Sequence, residues 1–313
     1  MTPVLFNRLV IVGAGLIGSS IARAVRERRL AGTLVVADQD PAVCDRVREL
    51  GFADEVSESA AEAARDADVV IVCVPVGAAG VVAAQVGPVL KPGAILTDVG
   101  SVKGAVVSAM APHVPAHAHL IPAHPVAGTE FSGPDAGFAS LFENRWCIVT
   151  PPEGADADAV ARLIDLWRAM GANVEVMDVR RHDLVLAITS HLPHLIAYNI
   201  VGTAADLEES LASEVIKFSA GGFRDFTRIA ASDPTMWRDV FLYNREAVLE
   251  MLGRFTEDLT ALQRAIRYGD GDALFDHFTR TRAIRRSIIE MGQETDAPDF
   301  GRLAAEKPKH EQS

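Results

Sequence analysis

The stretch RLVIVGAGLIGSSIARAVRERR, residues 8–29, decides the fold. After Arg8 come Leu9, Val10, Ile11 and Val12, an apolar run that reads as a strand buried on both faces. Gly13, Gly15 and Gly18 follow as G-x-G-x-x-G, and a helical pattern begins. A glycine turn between a buried strand and a helix is the context in which this spacing binds a dinucleotide. Gly13 permits the tight turn, Gly15 lets the backbone approach a pyrophosphate, and Gly18 lets helix and strand pack closely. Leu16 and Ile17 open the helix, whose N-terminal N–H groups and partial positive charge favour phosphate. Asp38 ends the second strand, TLVVAD, twenty residues after Gly18, where an acid takes the ribose hydroxyls. Gln39 comes next, with no adjacent Arg or Lys to receive a 2′-phosphate, so the expected cofactor is NAD rather than NADP. The competing reading is a glycine turn followed by a helix-capping Asp.

Working outward, the first half alternates short β-rich runs with helical patterns. PAVCDRVREL and AAGVVAAQVGPVL read as helices, and DVVIVCVP and GAILTDVG as strands. This order predicts an α/β domain with a doubly wound parallel sheet covered on both faces. HLIPAHP and RWCIVTP are expected to extend that sheet. DADAVARLIDLWRAMG reads as a helix ended by Gly171, and NVEVMD as a last short strand. After Asp178 strand signals nearly vanish and long helical patterns take over, so a domain boundary is placed at residue 178. That gives a nucleotide-binding domain over 1–178, a helical domain over 179–300 and a polar tail over 301–313.

The chain has 313 residues, 49% hydrophobic, with a net charge of −12, which suits a globular protein and argues against a nucleic-acid or anionic-membrane binder. An anionic substrate would need local cations. Cys44, Cys73 and Cys147 are scattered and odd in number, so neither a disulfide framework nor a zinc ribbon is expected. No apolar run reaches about 18 residues, so no transmembrane helix is expected, and the reading is a soluble cytoplasmic protein.

Four further stretches carry chemistry. In TDVGSVKG, Ser101 is either the N-cap of the next helix or a ligand group at the carboxyl end of a strand, where open α/β sheets bind ligands. Lys103 reads as a solvated first-turn residue. In PAHPVAGTE, Pro122 and Pro125 stiffen the segment around His124, which suits a positioned general base with a neutral imidazole near pKa ~6.5. His113, His117, His119 and His124 lie near one another in sequence, but a strand-and-loop reading separates their faces, so no metal site is expected. Glu130 orients the site, meets a cation from the other domain, or is a surface carboxylate. In TSHLPHLIAYN, Pro193 cannot donate to the carbonyl of Thr189, so a kink is expected. Ser190 and His194 share a face there, His191 is one step around, and Asn199 lies about a turn beyond. They either line a cleft or form an interdomain hydrogen-bond network. In GGFRDFTRIAASDPTMWRD, Arg224 and Arg228 offer a bidentate clamp for a carboxylate, or an ion pair with Asp225, and Trp237 is a pocket wall or core.

Taken together, GAGLIGSS, DVGSVKG, AHPVAGTE with the following SGP, TSHLPH and GGFRDFTRIAASDP with the following MW resemble the prephenate/arogenate dehydrogenase family. That family includes the broad-specificity cyclohexadienyl dehydrogenases of tyrosine biosynthesis. The resemblance covers nearly the whole chain. It implies a Rossmann-type nucleotide-binding domain followed by an all-α dimerisation domain, a homodimer, and an active site between the domains. It implies that His124 accepts the proton of the ring hydroxyl of prephenate while Ser101 hydrogen-bonds that hydroxyl. Arg228 would hold a substrate carboxylate, with His194, Ser190, Asn199, Glu130, Thr129 and Trp237 lining the pocket. Hydride leaves to NAD⁺ as the hydroxyl proton leaves, and the resulting vinylogous β-keto acid loses CO₂ to become aromatic, so no metal is needed as electron sink. No chorismate mutase segment before the first strand and no regulatory ACT domain after the last helix is expected. Two other readings compete. A β-hydroxyacid-type NAD(P) dehydrogenase would need a lysine on the helix after the interdomain strand, where HDLVLAITSHLPH has none. A non-catalytic NAD-sensing regulator would need no base, serine and arginine around the nicotinamide.

Overall fold

The computed structural model describes residues 4–129, 131–206 and 221–289. Six parallel strands form the first sheet: β1 (Phe6–Val12), β2 (Ala31–Ala37), β3 (Glu55–Ser57), β4 (Val69–Val72), β5 (Ile95–Asp98) and β6 (His119–Leu120), in the order β3-β2-β1-β4-β5-β6. The order reverses between β1 and β4, and the crevice beyond the carboxyl ends of those strands is where doubly wound sheets take ligands. The helices between them are α1 (Leu16–Arg28), α2 (Pro41–Leu50), α3 (Ala60–Ala63), α4 (Ala79–Val86) and α5 (Lys103–Met110). Alternation along β1 sends Leu9 and Ile11 into a core with Ile21 and Val25 of α1. Val10 and Val12 enter a second core with Val82, Val86 and Met110 on the other face.

The expectation that HLIPAHP and RWCIVTP extend the main sheet is corrected. Leu120 is the last residue of β6, and Ile121 still donates to Leu96 at 2.9 Å, but Pro122 has no N–H with which to continue. The chain turns out and forms β7 (Ala123–Pro125) in a separate three-stranded sheet with β8 (Trp146–Val149), antiparallel, and β9 (Asn173–Val176), parallel to β8. His124 stands opposite Ile148 in that register. Helix α6 (Ala157–Ala169), capped by Asp156 at its start, covers this sheet with Leu163 and Trp167. Gly171, at φ +94°, ends the helix as expected.

From Asp178, whose side chain caps α7 (Val179–Leu186), described secondary structure is helical. The π-helical turn Ala187–His191 joins α7 to α8 (Leu192–Ala205). The expected kink at Pro193 takes this form: Leu192 donates to Ala187, five residues back, and the widened turn relieves the proline ring. Further helices run Gly221–Thr227, Pro234–Tyr243, Arg245–Tyr268 and Gly271–Ile288. Among the described residues, those up to Met251 pack as one compact unit and residues 252–289 form a second. The expected polar tail, 301–313, lies outside the described residues.

The stretch Val179–Ala205 is long and apolar enough to cross a membrane by length and composition. Its buried residues include His182 and His191, however, and Asp183 reaches the backbone of α5. These polar contacts tie one side of it to the nucleotide-binding half, while Val185, Ile188, Ile200 and Val201 stay exposed.

Candidate active site

The glycine turn has the geometry that its spacing predicts. Gly13 sits at φ +100°, and a Cβ there would lie 2.6 Å from the carbonyl oxygen of Cys73. A Cβ on Gly18 would lie 2.0 Å from the carbonyl oxygen of Gly13. A Cβ on Gly15 would meet nothing within 4 Å. The outer two glycines are therefore required by packing, while Gly15 leaves bare backbone beside open space, the cradle that a pyrophosphate needs. Gly15 is the N-cap of α1 and no side chain caps that end, so the amides of the turn Leu16–Gly18 have no side-chain acceptor. Asp38 accepts from Ala14 N at 2.9 Å through one oxygen and from Asp40 N at 3.0 Å through the other. It braces the glycine turn and keeps lone pairs for a ribose. The helix-capping alternative falls to its neighbour: Asp40, not Asp38, caps α2 by accepting from Ala42 N.

At the carboxyl end of β5 the site departs from the sequence reading. Ser101 does not cap α5. Two carboxylate oxygens of Asp183, on α7, accept from Lys103 N and Gly104 N, each at 2.8 Å, and so cap α5 from another element. Ser101 is half-buried. Lys103 is not solvated. It is 0% exposed, with its ammonium on Asp98 Oδ2 and, at 2.6 Å, on the carbonyl of Ala123. A helix start that turns its first side chain inward, beneath β7, hides what composition alone makes a surface lysine. Burial lowers the Lys103 ammonium from its ordinary value, and the Asp98 carboxylate works against that.

Ala123 precedes His124, so the buried ammonium anchors the strand that carries the imidazole. His124 is only 7% exposed, and its Nδ1 lies 2.9 Å from Nε2 of His182. Nδ1 of His182 lies 2.8 Å from Asp183 Oδ1. Burial first, then His182, Lys103 and His191, push the His124 pKa well below the usual value, which corrects the expectation of an imidazole near 6.5. Burial likewise lowers His182, with Asp183 opposing, and holds His191 at about 4.

Asn244 ties the helical side together. Its Nδ2 donates to the Asp183 carbonyl at 2.9 Å and meets His191 Nδ1 at 3.1 Å. His194 stacks on Trp237 with ring centroids 3.6 Å apart, and its Nδ1–H donates to the Ser190 carbonyl at 2.9 Å. Burial lowers the His194 pKa, its hydrogen bond to the Ser190 carbonyl works against that, and the Arg228 charge adds to the lowering. Arg224, not Arg228, lies beside Asp225, at 3.6 Å, and Arg228 forms no ion pair among the described residues. The ion pair with Asp225 thus falls to Arg224.

The structure thus joins His124 to the Lys103–Asp98 pair and to the helical residues His182, Asp183 and His191, and sets His194, Trp237 and Arg228 together. Asn199 is exposed. Thr129 Oγ1 accepts from Phe131 N at 3.3 Å. Glu130 lies outside the described residues. His182, Asp183 and Asn244 escaped the sequence reading. The available signal was the i,i+4 pair His182 and Leu186, both buried on one face of α7.

Comparison with known proteins decides the family. Residues 21–176 match the model of the prephenate dehydrogenase nucleotide-binding domain, and residues 178–280 that of the prephenate dehydrogenase dimerization domain. The chain belongs to the prephenate dehydrogenase family. Within that family it is 43% identical to a cyclohexadienyl dehydrogenase of Zymomonas mobilis over 90% of this chain and 96% of the relative. It is 31% identical to a prephenate dehydrogenase of Bacillus subtilis over 97% of this chain and 82% of the relative. The crystal structure of prephenate dehydrogenase from Aquifex aeolicus, in complex with hydroxyphenyl propionate and NAD⁺, superposes with a TM-score of 0.84 at 32% identity, covering 90% of this chain and 98% of that one.

Proposed function

We propose that this protein catalyses the NAD-dependent oxidative decarboxylation of prephenate to 4-hydroxyphenylpyruvate in tyrosine biosynthesis, and that it also converts arogenate to tyrosine. The observation that carries this reading is the buried, neutral His124, held on β7 by strand pairing and by the Lys103 ammonium on the preceding carbonyl, in a chain that also carries a dinucleotide cradle. Bound at Gly13, Gly15, Leu16, Ile17, Gly18 and Asp38, NAD⁺ supplies the hydride acceptor.

His124 takes the ring hydroxyl proton, and Ser101 hydrogen-bonds the same oxygen. The proton must leave as the ring carbon gives up its hydride, so a base fixed by strand pairing and by the Lys103 ammonium removes much of the orientational cost. Arg228 binds a substrate carboxylate as a planar fork. His194 and Trp237 present an aromatic wall, and we assign Ser190, Asn199 and Thr129 to the rest of the pocket. Ser190 and Asn199 can each donate or accept, and a neutral His194, its Nδ1–H spent on the Ser190 carbonyl, accepts at Nε2, so a keto or an ammonium side chain is tolerated without a large penalty. We take residues 1–178 as the nucleotide-binding domain and 179–300 as the helical substrate domain, a division supported by the two matched segments that meet there.

We also place two copies in a homodimer. Val185, Ile188, Ile200 and Val201 leave an apolar face on α7 and α8, which a second copy would cover, and the matched dimerization domain includes that face. Three unpaired thiols suit a reducing compartment, the cytoplasm. Formation of NADH on mixing the protein with NAD⁺ and prephenate, then arogenate, tests the activity. No NADH with either would refute it. A preference beyond about 10³-fold in kcat/KM, roughly 4 kcal/mol, would refute the dual specificity.

A further inference from the structure

His124 lies at the end of a three-residue chain that nothing in the proposed reaction yet uses. Asp183 accepts two backbone amides at the start of α5, each at 2.8 Å, besides the His182 ring. Burial works to raise its carboxyl, but the His182 ring and the two amides outweigh it and hold it below the ordinary value. The carboxylate therefore has no proton to give, and the hydrogen in the His182–Asp183 bond sits on His182 Nδ1. His182 is 0% exposed and neutral, so its Nε2 carries a lone pair. An acceptor at His182 Nε2 requires the hydrogen of the next bond to sit on His124 Nδ1, 2.9 Å away. His124 is neutral too, and its second nitrogen, Nε2, is left as the one unprotonated ring atom with no partner in the chain.

We propose that His182 and Asp183 are positioning residues that write the tautomer of the base: they hold His124 as Nδ1–H, so that Nε2 receives the hydroxyl proton. The proposal rests on the reading of His124 as the base. The substrate O–H bond breaks, an Nε2–H bond forms, and the imidazolium that results keeps its Nδ1–H on His182. Its positive charge then lies two ring widths from the Asp183 carboxylate, which partly offsets the neighbouring Lys103 ammonium. The same logic orients the histidine of a Ser-His-Asp triad, where a wrong tautomer is costly although every group is present. Here a second imidazole is interposed between base and acid, and the acid is held by a helix start rather than by solvent.

The test combines spectroscopy without substrate and kinetics with it. In protein labelled with ¹⁵N at histidine, the ring shifts of His124, assigned by their loss in His124→Asn, should report Nδ1–H in the wild type. In His182→Leu, which removes the acceptor, the Nε2–H form should grow. The kcat of that variant should fall by about 10–10³-fold with the KM for NAD⁺ unchanged. His182→Gln, which restores an acceptor oxygen, should recover kcat to within about fivefold of the wild type and restore the Nδ1–H signature. A wild-type spectrum with the proton on Nε2 would overturn the proposal, as would wild-type kcat in a folded His182→Leu. Equal losses in the Leu and Gln variants with an unchanged His124 spectrum would reduce His182 to packing and overturn it as well. A wild type that shows the Nδ1–H signature but oxidises neither prephenate nor arogenate would instead refute the proposed function.

Discussion

Replacing Lys103 by Met tests how the base is held. The ammonium is wholly buried, on a carboxylate that is itself 2% exposed, and the variant leaves Asp98 with the Gly100 amide, at 2.8 Å, as its remaining donor. Oδ1 of Asp98 already has no partner among the described residues. The Ala123 carbonyl loses its donor at the same time. Breaking a buried pair from one side costs about 3–5 kcal/mol, because the remaining charge cannot recover its hydration. For a chain of this size that corresponds to a fall in Tm of about 5–8 °C. Met fills nearly the same volume, so little of the loss can come from a cavity. Asp98→Asn in the Lys103→Met background should return a large part of it, since the stranded charge is then gone, and a double-mutant cycle reads the coupling. Kinetics gives a second readout. Lys103 is one of the groups that lower the His124 pKa, so its loss should raise that pKa and move the acid limb of the kcat profile to higher pH. A loss below about 1 kcal/mol with an unmoved acid limb would refute the idea that the ammonium is charged and paired there.

His124→Asn should lower kcat by about 10²–10⁴-fold while calorimetric NAD⁺ affinity stays put, and a near-normal kcat would remove His124 from the chemistry. Asp38→Ser with Gln39→Arg should narrow or reverse the preference for NAD over NADP in kcat/KM, and equal wild-type use of both cofactors would show that Asp38 does not read the ribose. Arg228→Ala should chiefly raise the KM for prephenate, whereas a pure stability loss would return Arg228 to an ion-pair role. Stability should fall in acid. His191, held at about 4 when folded against about 6.5 when unfolded, contributes stability that is complete above pH ~6.5 and is lost as the pH drops toward ~4, about 3 kcal/mol across the window. Urea midpoints should follow that slope in the wild type and flatten in His191→Gln, and parallel slopes in the two would refute a neutral buried His191.

The nucleotide half was legible because its signals are local. The glycine spacing, the apolar run of β1 and the position of Asp38 each constrain a few neighbouring residues, and the structure keeps all three. β3 and α3 were not foreseen. They are three and four residues long, in a polar stretch where periodicity has no length in which to build. The catalytic side was legible only in part. His124 stood out through its flanking prolines, whereas Lys103 and Asp183 take their meaning from each other across about eighty residues of sequence. No local pattern announces that a carboxylate will cap a helix it does not precede, or that a lysine in a helix's first turn will lie under another strand. The split between Arg224 and Arg228 has the same character, since either could reach Asp225 by spacing alone.

The π-helical turn at Ala187–His191 sets the phase of everything that follows it. His182 and His191 are nine residues apart, which on an unbroken α-helix puts them on opposite sides, roughly 180° from one another. Both are nevertheless buried, one bonded to the base and the other to Asn244. The surplus residue in the turn rotates α8 back toward the site that α7 already faces. Removing one residue from this turn would leave a regular helix with the two histidines eight residues apart, about 80° of phase, so the side chains beyond it would keep their facing. Winding the same residues into an unbroken α-helix would instead advance everything beyond the turn by about 100°, and His194 would swing off Trp237 with the composition unchanged. In this helix the count of residues between two histidines carries as much information as the histidines themselves.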